Sequence, residues 1–145
     1  MLLRRHADKI DDLKKVPLFS ALNRRHLDVI AGRADEVKRD AGTTLARQGA
    51  RGLEFLLIVE GSARVEKGGK VIAHLGPGDF FGEMSLIDGK PRSATVVADT
   101  PVLLLVVDVR SFGRLLETVP GLSNKVMATL CERLRAADET LTHRN

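Results

Sequence analysis

The chain has 145 residues, 43% of them hydrophobic and 29% charged, and it carries a formal net charge of +4. This length allows one domain with a core, and the scattered basic residues and the absence of Trp and Tyr argue against a nucleic-acid-binding surface, which needs a concentrated basic stripe and exposed aromatic rings. The single cysteine, Cys131, excludes an internal disulfide, and no apolar run is as long as a membrane span or a signal peptide, so we expect a cytoplasmic protein with no membrane segment in this chain.

Two helices are predicted before the first strand. Residues 2–16 have an amphipathic pattern, and Pro17 disfavours helix in the residue before it. The apolar side of this helix carries Leu2, Leu3, Ile10 and Leu13.

A second helix is predicted for residues 24–31. Either Ser20 or Asn23 can cap its N-terminus, since short polar side chains accept hydrogen bonds from the first free N–H groups. Leu27 and Ile30 are expected to face inward, and Gly32 is expected to end the helix.

From residue 34 to residue 107, short β-prone runs alternate with glycine-containing turns. The runs are residues 36–38, 43–46, 54–59, 63–66, 71–75, 95–98 and 102–107. Gly68 and Gly69 form a tight hairpin signal between two of them. Seven or eight short strands at this spacing indicate a sandwich, roll or barrel.

Two further helices are predicted after the strands. Asp108 can cap a helix that carries Phe112, Leu115 and Leu116 and ends near Pro120. Ser123 or Asn124 is expected to open a last helix. The apolar residues on one face of that helix are Val126, Met127, Leu130, Leu134 and Leu141.

Residues 80–96 carry the chemistry of the chain. A helix-forming segment at residues 83–87 follows Gly82, and a helix start near a residue without a Cβ is a natural anion site. Arg92 supplies a planar fork that matches two phosphate oxygens, whereas Glu83 can accept a hydrogen bond from a hydroxyl group. Together these features suggest a sugar-phosphate ligand.

Residues 81–86, Phe-Gly-Glu-Met-Ser-Leu, and residues 91–96, Pro-Arg-Ser-Ala-Thr-Val, resemble the phosphate-binding cassette of the cyclic nucleotide-binding domain family. That family includes bacterial catabolite activator proteins, regulatory subunits of protein kinase A and cyclic-nucleotide-gated channels. Gly42, Gly49 and the Val59-Glu60-Gly61 run also fit the family pattern. The resemblance covers nearly the whole chain.

The resemblance implies roles for the cassette residues. Glu83 would bind the ribose 2′-hydroxyl, while Arg92 and Ser93 would hold the cyclic phosphate. Backbone groups of Gly82 and Ala94 would complete the site. The full predicted ligand-binding set is Phe81, Gly82, Glu83, Met84, Ser85, Arg92, Ser93 and Ala94.

The expected fold is α+β and mainly β: an eight-stranded antiparallel, jelly-roll-like β-roll flanked by N-terminal helices and two C-terminal helices. The expected divisions are a helical segment at residues 1–33, the roll at 34–107 with its cassette at 80–96, and C-terminal hinge and lid helices at 108–145.

The resemblance implies a sensor that binds a cyclic nucleotide, with cAMP favoured and cGMP as the alternative, and that signals by moving its C-terminal helix. No DNA-binding segment is recognised in the chain, so we expect an unidentified effector protein or self-association through the terminal helices. Leu130, Arg133, Leu134 and Arg135 are candidates for a lid over the base. A dimer seam using Leu130, Leu134 and Leu141 is an equally good interpretation of the same helix.

Two other classes of function compete with the sensor. A β-roll that ignores nucleotides could act as a protein-interaction or oligomerisation module, with Glu83 and Arg92 as a mere surface ion pair. An enzyme of this shape would need a nucleophile or metal ligands, and we predict neither a catalytic residue nor a metal. Cys131 is expected to pack, and the histidines, which lack metal-ligand spacing, are expected at the surface: His6, His26, His74 and His143.

Overall fold

The computed structural model describes residues 6–16, 18–20, 22–82 and 90–142, with side chains described between residues 8 and 136 of these ranges. The described elements in chain order are α1 (His6–Lys14), α2 (Arg24–Arg33), β1 (Asp35–Arg39), β2 (Thr44–Ala46), β3 (Glu54–Glu60), β4 (Ala63–Lys67), β5 (Lys70–Leu75), β6 (Phe80–Phe81), β7 (Thr95–Ala98), β8 (Val102–Asp108), α3 (Val109–Thr118) and α4 (Leu122–Thr142).

The eight described strands form two antiparallel sheets of four. The first sheet has the order β1-β8-β3-β6, and the second has the order β2-β7-β4-β5. Strand β8 is central in the first sheet, where Leu104 lies opposite Val37 of β1 and Ile58 of β3. This arrangement confirms the predicted antiparallel β-roll flanked by helices.

The central strands β3 and β8 of the first sheet are buried on both faces, which explains why they are almost continuously apolar. Side chains alternate between the faces of a strand. In β3, Phe55 and Leu57 face the helices, whereas Leu56 and Ile58 face the second sheet. The six-residue apolar run 102–107 in β8 alternates in the same way. Each such large side chain contributes about 1.5–3 kcal/mol when fully buried.

We call the buried side chains between the first sheet and the helices the helix-side cluster. Its buried members on the helices are Ile10, Leu13, Leu27, Ile30, Ala31, Phe112, Leu115, Leu122 and Val126. Phe55 stacks on Phe112 at 4.5 Å between ring centroids, and it contacts the ring of Phe80 at 5.2 Å. These three rings tie α3, β3 and β6 together. The predicted inward positions of Ile10, Leu13, Leu27 and Ile30 are confirmed, whereas Leu2 and Leu3 lie outside the described residues.

Helix α2 confirms one of its predicted signals and contradicts another. Asn23 is the N-cap, and its Oδ1 accepts a hydrogen bond of 2.9 Å from the backbone N–H of His26. The prediction that Gly32 ends the helix is wrong, because α2 continues to Arg33. Gly32 is exposed and costs about 1 kcal/mol relative to alanine, an amount that the packing of Leu27 and Ile30 offsets.

Two element boundaries differ from the prediction. Helix α4 begins at Leu122 rather than after Ser123 or Asn124, because Gly121 makes the turn with φ +82° and its carbonyl accepts from the N–H of Lys125. The short strand β6 has no separate signal in the sequence. Its two phenylalanines pair with Leu56 and Leu57 of β3, and this pairing defines the strand.

The distal part of α4 contradicts two packing predictions. Met127 is 54% exposed and Leu134 is 63% exposed, so they do not share a buried face with Val126. Cys131 is also exposed, and its predicted packing role is therefore wrong. The physical reason is that the helix-side cluster holds the first turns of α4 through Leu122 and Val126. Among the later side chains described, up to residue 136, the cluster gains only the partly buried Leu130. Leu141 lies outside the described side chains.

Asp108 caps α3 as predicted, and we expect its replacement by alanine to lower the melting temperature by a few degrees at neutral pH. Its Oδ1 accepts a hydrogen bond of 2.8 Å from the backbone N–H of Ser111. Asp108→Asn is the matched control, because it keeps a capping oxygen. Equal melting temperatures for the wild type and Asp108→Ala would contradict the capping role.

The same side chain makes the stability depend on pH. The backbone hydrogen bond from Ser111 is the main reason that the pKa of Asp108 lies below its ordinary value of 3.8. The capping contribution is therefore complete above that value and is lost as the pH falls through the lower pKa of the folded state. Urea denaturation at several acidic pH values should show a shallower loss of stability for Asp108→Asn than for the wild type.

Candidate ligand site

The structure describes the two flanks of the predicted cassette. These flanks, residues 80–82 and residues 90–96, are the first and last parts of the cassette itself. Glu83, Met84, Ser85 and the predicted helix at residues 83–87 lie outside the described residues, so their proposed roles stay predictions. The flanks contain Phe81, Gly82, Arg92, Ser93 and Ala94.

Arg92 is held through both its backbone and its side chain. Its N–H donates to the carbonyl of Ala50 at 2.8 Å, and its own carbonyl accepts from the N–H of Gly49 at 2.9 Å. The guanidinium Nη2 donates to the backbone carbonyl of Glu54 at 3.0 Å. These bonds orient a half-buried group whose five N–H donors match phosphate oxygens in a planar fork.

Gly82 lies directly against this arginine. Its φ of +93° is in the left-handed region that favours glycine. A Cβ at this position would come within 2.5 Å of the Glu54 carbonyl oxygen and 2.6 Å of Arg92 Nη1. The absence of a side chain at Gly82 therefore lets its backbone pack against Glu54 and Arg92. This is a second reason for a glycine here, besides the predicted approach of a ligand to the bare backbone.

The other described site residues have different environments. Phe81 is buried between the sheets and pairs with Leu56, so its side chain belongs to the core. Ser93 is exposed, and Ala94 is half-buried just before β7. The structure thus brings Gly82 and Arg92 into contact, leaves Ser93 accessible, and gives Phe81 a packing position.

The loop that pairs with Arg92 is anchored by Gln48, a residue that the sequence interpretation missed. The backbone N–H of Gln48 donates to Thr95 Oγ1 at 2.9 Å. Its side-chain Oε1 accepts from the N–H of Gly68 at 3.2 Å, in the turn between β4 and β5. Gln48 and Glu54 give no motif signal, because one acts through a long-range turn contact and the other through its main chain.

The local charges favour an anion. Arg47 and Arg51 are exposed and flank the two residues whose backbones pair with Arg92, and Lys90 is exposed two positions before it. The acidic side chain of Glu54 is also exposed nearby in sequence, at the start of β3. Basic groups therefore outnumber acidic ones on the described flanks of the cassette.

The candidate lid residues of α4 separate in the structure. Arg133, Leu134 and Arg135 are all exposed, but the guanidinium of Arg133 contacts Phe80 through a partly buried hydrogen bond. Leu130 packs partly on the helix-side cluster. Within the part of the chain that the structure describes, no three His, Cys, Asp or Glu side chains cluster as a metal site would require. None of the helices in the described ranges combines the length and apolarity needed to cross a bilayer.

A large open cavity lies away from these residues. It has a volume of about 540 Å³ and is lined by residues that include Lys38, Arg39, Glu60 and Pro101. Of the predicted site residues that the structure describes, none lines it. The candidate site is therefore defined by the contacts of Arg92 and Gly82.

Comparisons with known proteins agree on one family. The family model described as "Cyclic nucleotide-binding domain" matches residues 36–119. The chain is 42% identical over 105 residues to a cAMP-dependent protein kinase regulatory subunit of Schizosaccharomyces pombe, an alignment that covers 72% of this chain and 26% of the relative. The chain thus spans about a quarter of the length of that relative.

Solved structures show the same fold. A catabolite activator protein from Thermus thermophilus superposes with a TM-score of 0.80 at 33% identity, covering 87% of this chain and 62% of that structure. The regulatory subunit of a cAMP-independent protein kinase A from Trypanosoma brucei superposes with a TM-score of 0.77 at 26% identity, covering 85% and 46%. The resemblance to the cyclic nucleotide-binding domain family, which was stated from residues 81–96, is confirmed.

Gly82→Ala should destabilise the protein more than the same change at Gly42. Both glycines have φ near +90°, which costs an alanine about 1–2 kcal/mol. A Cβ at Gly42 meets no atom within 4 Å, whereas at Gly82 it meets Glu54 and Arg92. We expect an additional loss of about 1–3 kcal/mol at Gly82 from this overpacking. Chemical denaturation measures both variants, and equal losses would contradict the close packing at Arg92.

Proposed function

The chain belongs to the cyclic nucleotide-binding domain family, and on this basis we propose that it is a sensor that binds cAMP and signals through its C-terminal helix. The observation that carries the proposal is the preset Arg92, whose guanidinium is oriented by Glu54 beside the bare backbone of Gly82. A cyclic phosphate is a compact anion with paired oxygens, and this geometry suits it.

Each cassette residue has a chemical role in this proposal. Arg92 neutralises the cyclic phosphate, and the exposed hydroxyl of Ser93 donates a further hydrogen bond to it. Backbone groups of Gly82 and Ala94 complete the phosphate site. Glu83 accepts from the ribose 2′-hydroxyl, which explains an acidic residue next to an anion site. Phe81, Met84 and Ser85 shape the segment that carries these groups.

The choice of cAMP over cGMP rests on relatives and on chemistry. The Schizosaccharomyces pombe relative is named a cAMP-dependent kinase subunit. The hydroxyl of Ser93 can also hydrogen-bond to the guanine amino group of cGMP. Titration with both cyclic nucleotides therefore decides the base preference. The protein binds its ligand without turning it over, and the proposed output is a change in the contacts of α4.

The output requires a partner outside the described site. This partner is either an effector protein or a second copy of the chain, and either one would bind to the terminal helices. The exposed apolar residues Met127 and Leu134 on α4 fit either arrangement. The exposed thiol of Cys131 suits a reducing compartment, and we therefore place the protein in the cytoplasm.

A nucleotide-insensitive interaction module is the second candidate. The observation that favours it is the likeness to the regulatory subunit of a cAMP-independent kinase, which has the same fold. Calorimetric titration with cAMP, cGMP and 5′-AMP separates the two candidates. Binding of one cyclic nucleotide well above 5′-AMP supports the sensor, whereas no binding of either cyclic nucleotide supports the interaction module. Unchanged cAMP after long incubation supports binding without hydrolysis.

Arg92→Ala should weaken cAMP binding at least about thirtyfold, because it leaves the phosphate charge without its partner. Arg92→Lys keeps the charge but loses the planar fork, and it should give an intermediate affinity. Arg114→Ala, an exposed position on α3, is the control for the change in net charge and should stay close to wild type. Wild-type affinity in Arg92→Ala would overturn the assignment of the phosphate site.

A further inference from the structure

Arg133 on α4 makes two contacts to one residue of the roll. Its Nη2 donates a hydrogen bond of 2.7 Å to the backbone carbonyl of Phe80. Its Cζ lies 4.5 Å from the centroid of the Phe80 ring, so the guanidinium also makes a cation–π contact. A charge-assisted hydrogen bond is stronger than a neutral one, and this bond is partly buried.

These contacts hold a part of α4 that has little other packing. Arg133 lies seven residues beyond the buried Val126, which is about two helical turns. Its neighbours Glu132 and Leu134 are exposed, as are the other described side chains from residue 131 to residue 136. Leu130 packs partly on the helix-side cluster, and Arg133 extends the attachment of the helix by almost one further turn.

Phe80 is placed to pass this contact on to the ligand site. It opens β6, and Phe81 alone separates it from Gly82, which lies against Arg92. Its ring also contacts Phe55, which stacks on Phe112 of α3. A shift of β6 would therefore change its contacts with the cassette, with the core and with both C-terminal helices.

We propose that Arg133 is a positioning residue that docks the distal half of α4 onto β6 and thereby couples the position of this helix to the ligand site. This assigns the guanidinium to the protein itself rather than to the purine base. The coupling rests on the proposed function, whereas the docking does not. Because coupling between two sites is reciprocal, a ligand that shifts β6 shifts the docking of α4, and the docking of α4 changes ligand affinity.

The docking is tested without ligand by amide hydrogen exchange in α4. Arg133→Ala should accelerate exchange in residues 127–136 about tenfold, as expected for loss of a charge-assisted hydrogen bond that limits local opening. Arg135→Ala removes the same charge from an exposed position two residues away and should leave exchange unchanged. Arg133→Lys keeps a charged donor and should restore part of the protection. Melting temperatures of all variants confirm that each remains folded.

The coupling is tested by repeating the exchange with saturating cAMP. In the wild type and in Arg135→Ala, cAMP should change the exchange of residues 127–136, and in Arg133→Ala this response should disappear. Wild-type exchange in ligand-free Arg133→Ala would overturn the docking, and a full ligand response in that variant would overturn the coupling. Absence of cAMP binding to the wild type by calorimetry would instead overturn the proposed function together with the coupling, while the ligand-free exchange still decides the docking.

Discussion

The close approach of three chain segments at Arg92 is the constraint on which the candidate site depends. The guanidinium is bonded to the carbonyl of Glu54, and Gly82 fits beside both because it has no side chain. The loop at residues 49–50 fixes the backbone of the same arginine. Orientation is therefore established by the protein before a ligand arrives, so that little side-chain entropy remains to be lost on binding.

The two-faced first sheet provides the frame for this arrangement. One of its faces packs on the second sheet and the other packs on the helices, and successive residues of β3, β6 and β8 alternate between them. In β6 this alternation sends Phe80 toward the helices and Phe81 between the sheets. The strand that leads into the cassette is thus packed from both sides, and Phe80 contacts Phe55 in the core and Arg133 of α4.

Family membership defines the class of ligand, whereas it does not define how the protein responds to that ligand. Proteins that superpose on this chain include a catabolite activator protein and the regulatory subunit of a cAMP-independent kinase. The shared roll is compatible with different outputs, because a response depends on the few side chains that touch the ligand and on the contacts that hold the C-terminal helix. In this chain we propose Arg92 for the ligand contact and Phe80 for one of the contacts that hold the C-terminal helix.

The sequence by itself determined the antiparallel roll, most strands, the cap of α3, and the cassette with its arginine. These features depend on local patterns: alternating apolar residues, glycines at turns, capping side chains and a contiguous motif. Only the tertiary structure decided the extent of α2 past Gly32, the strand β6, the exposure of Cys131 and the anchoring roles of Gln48, Glu54 and Arg133. Each of these depends on contacts between residues far apart in the chain, often to main-chain atoms that every residue carries, and such contacts leave no mark on the local sequence.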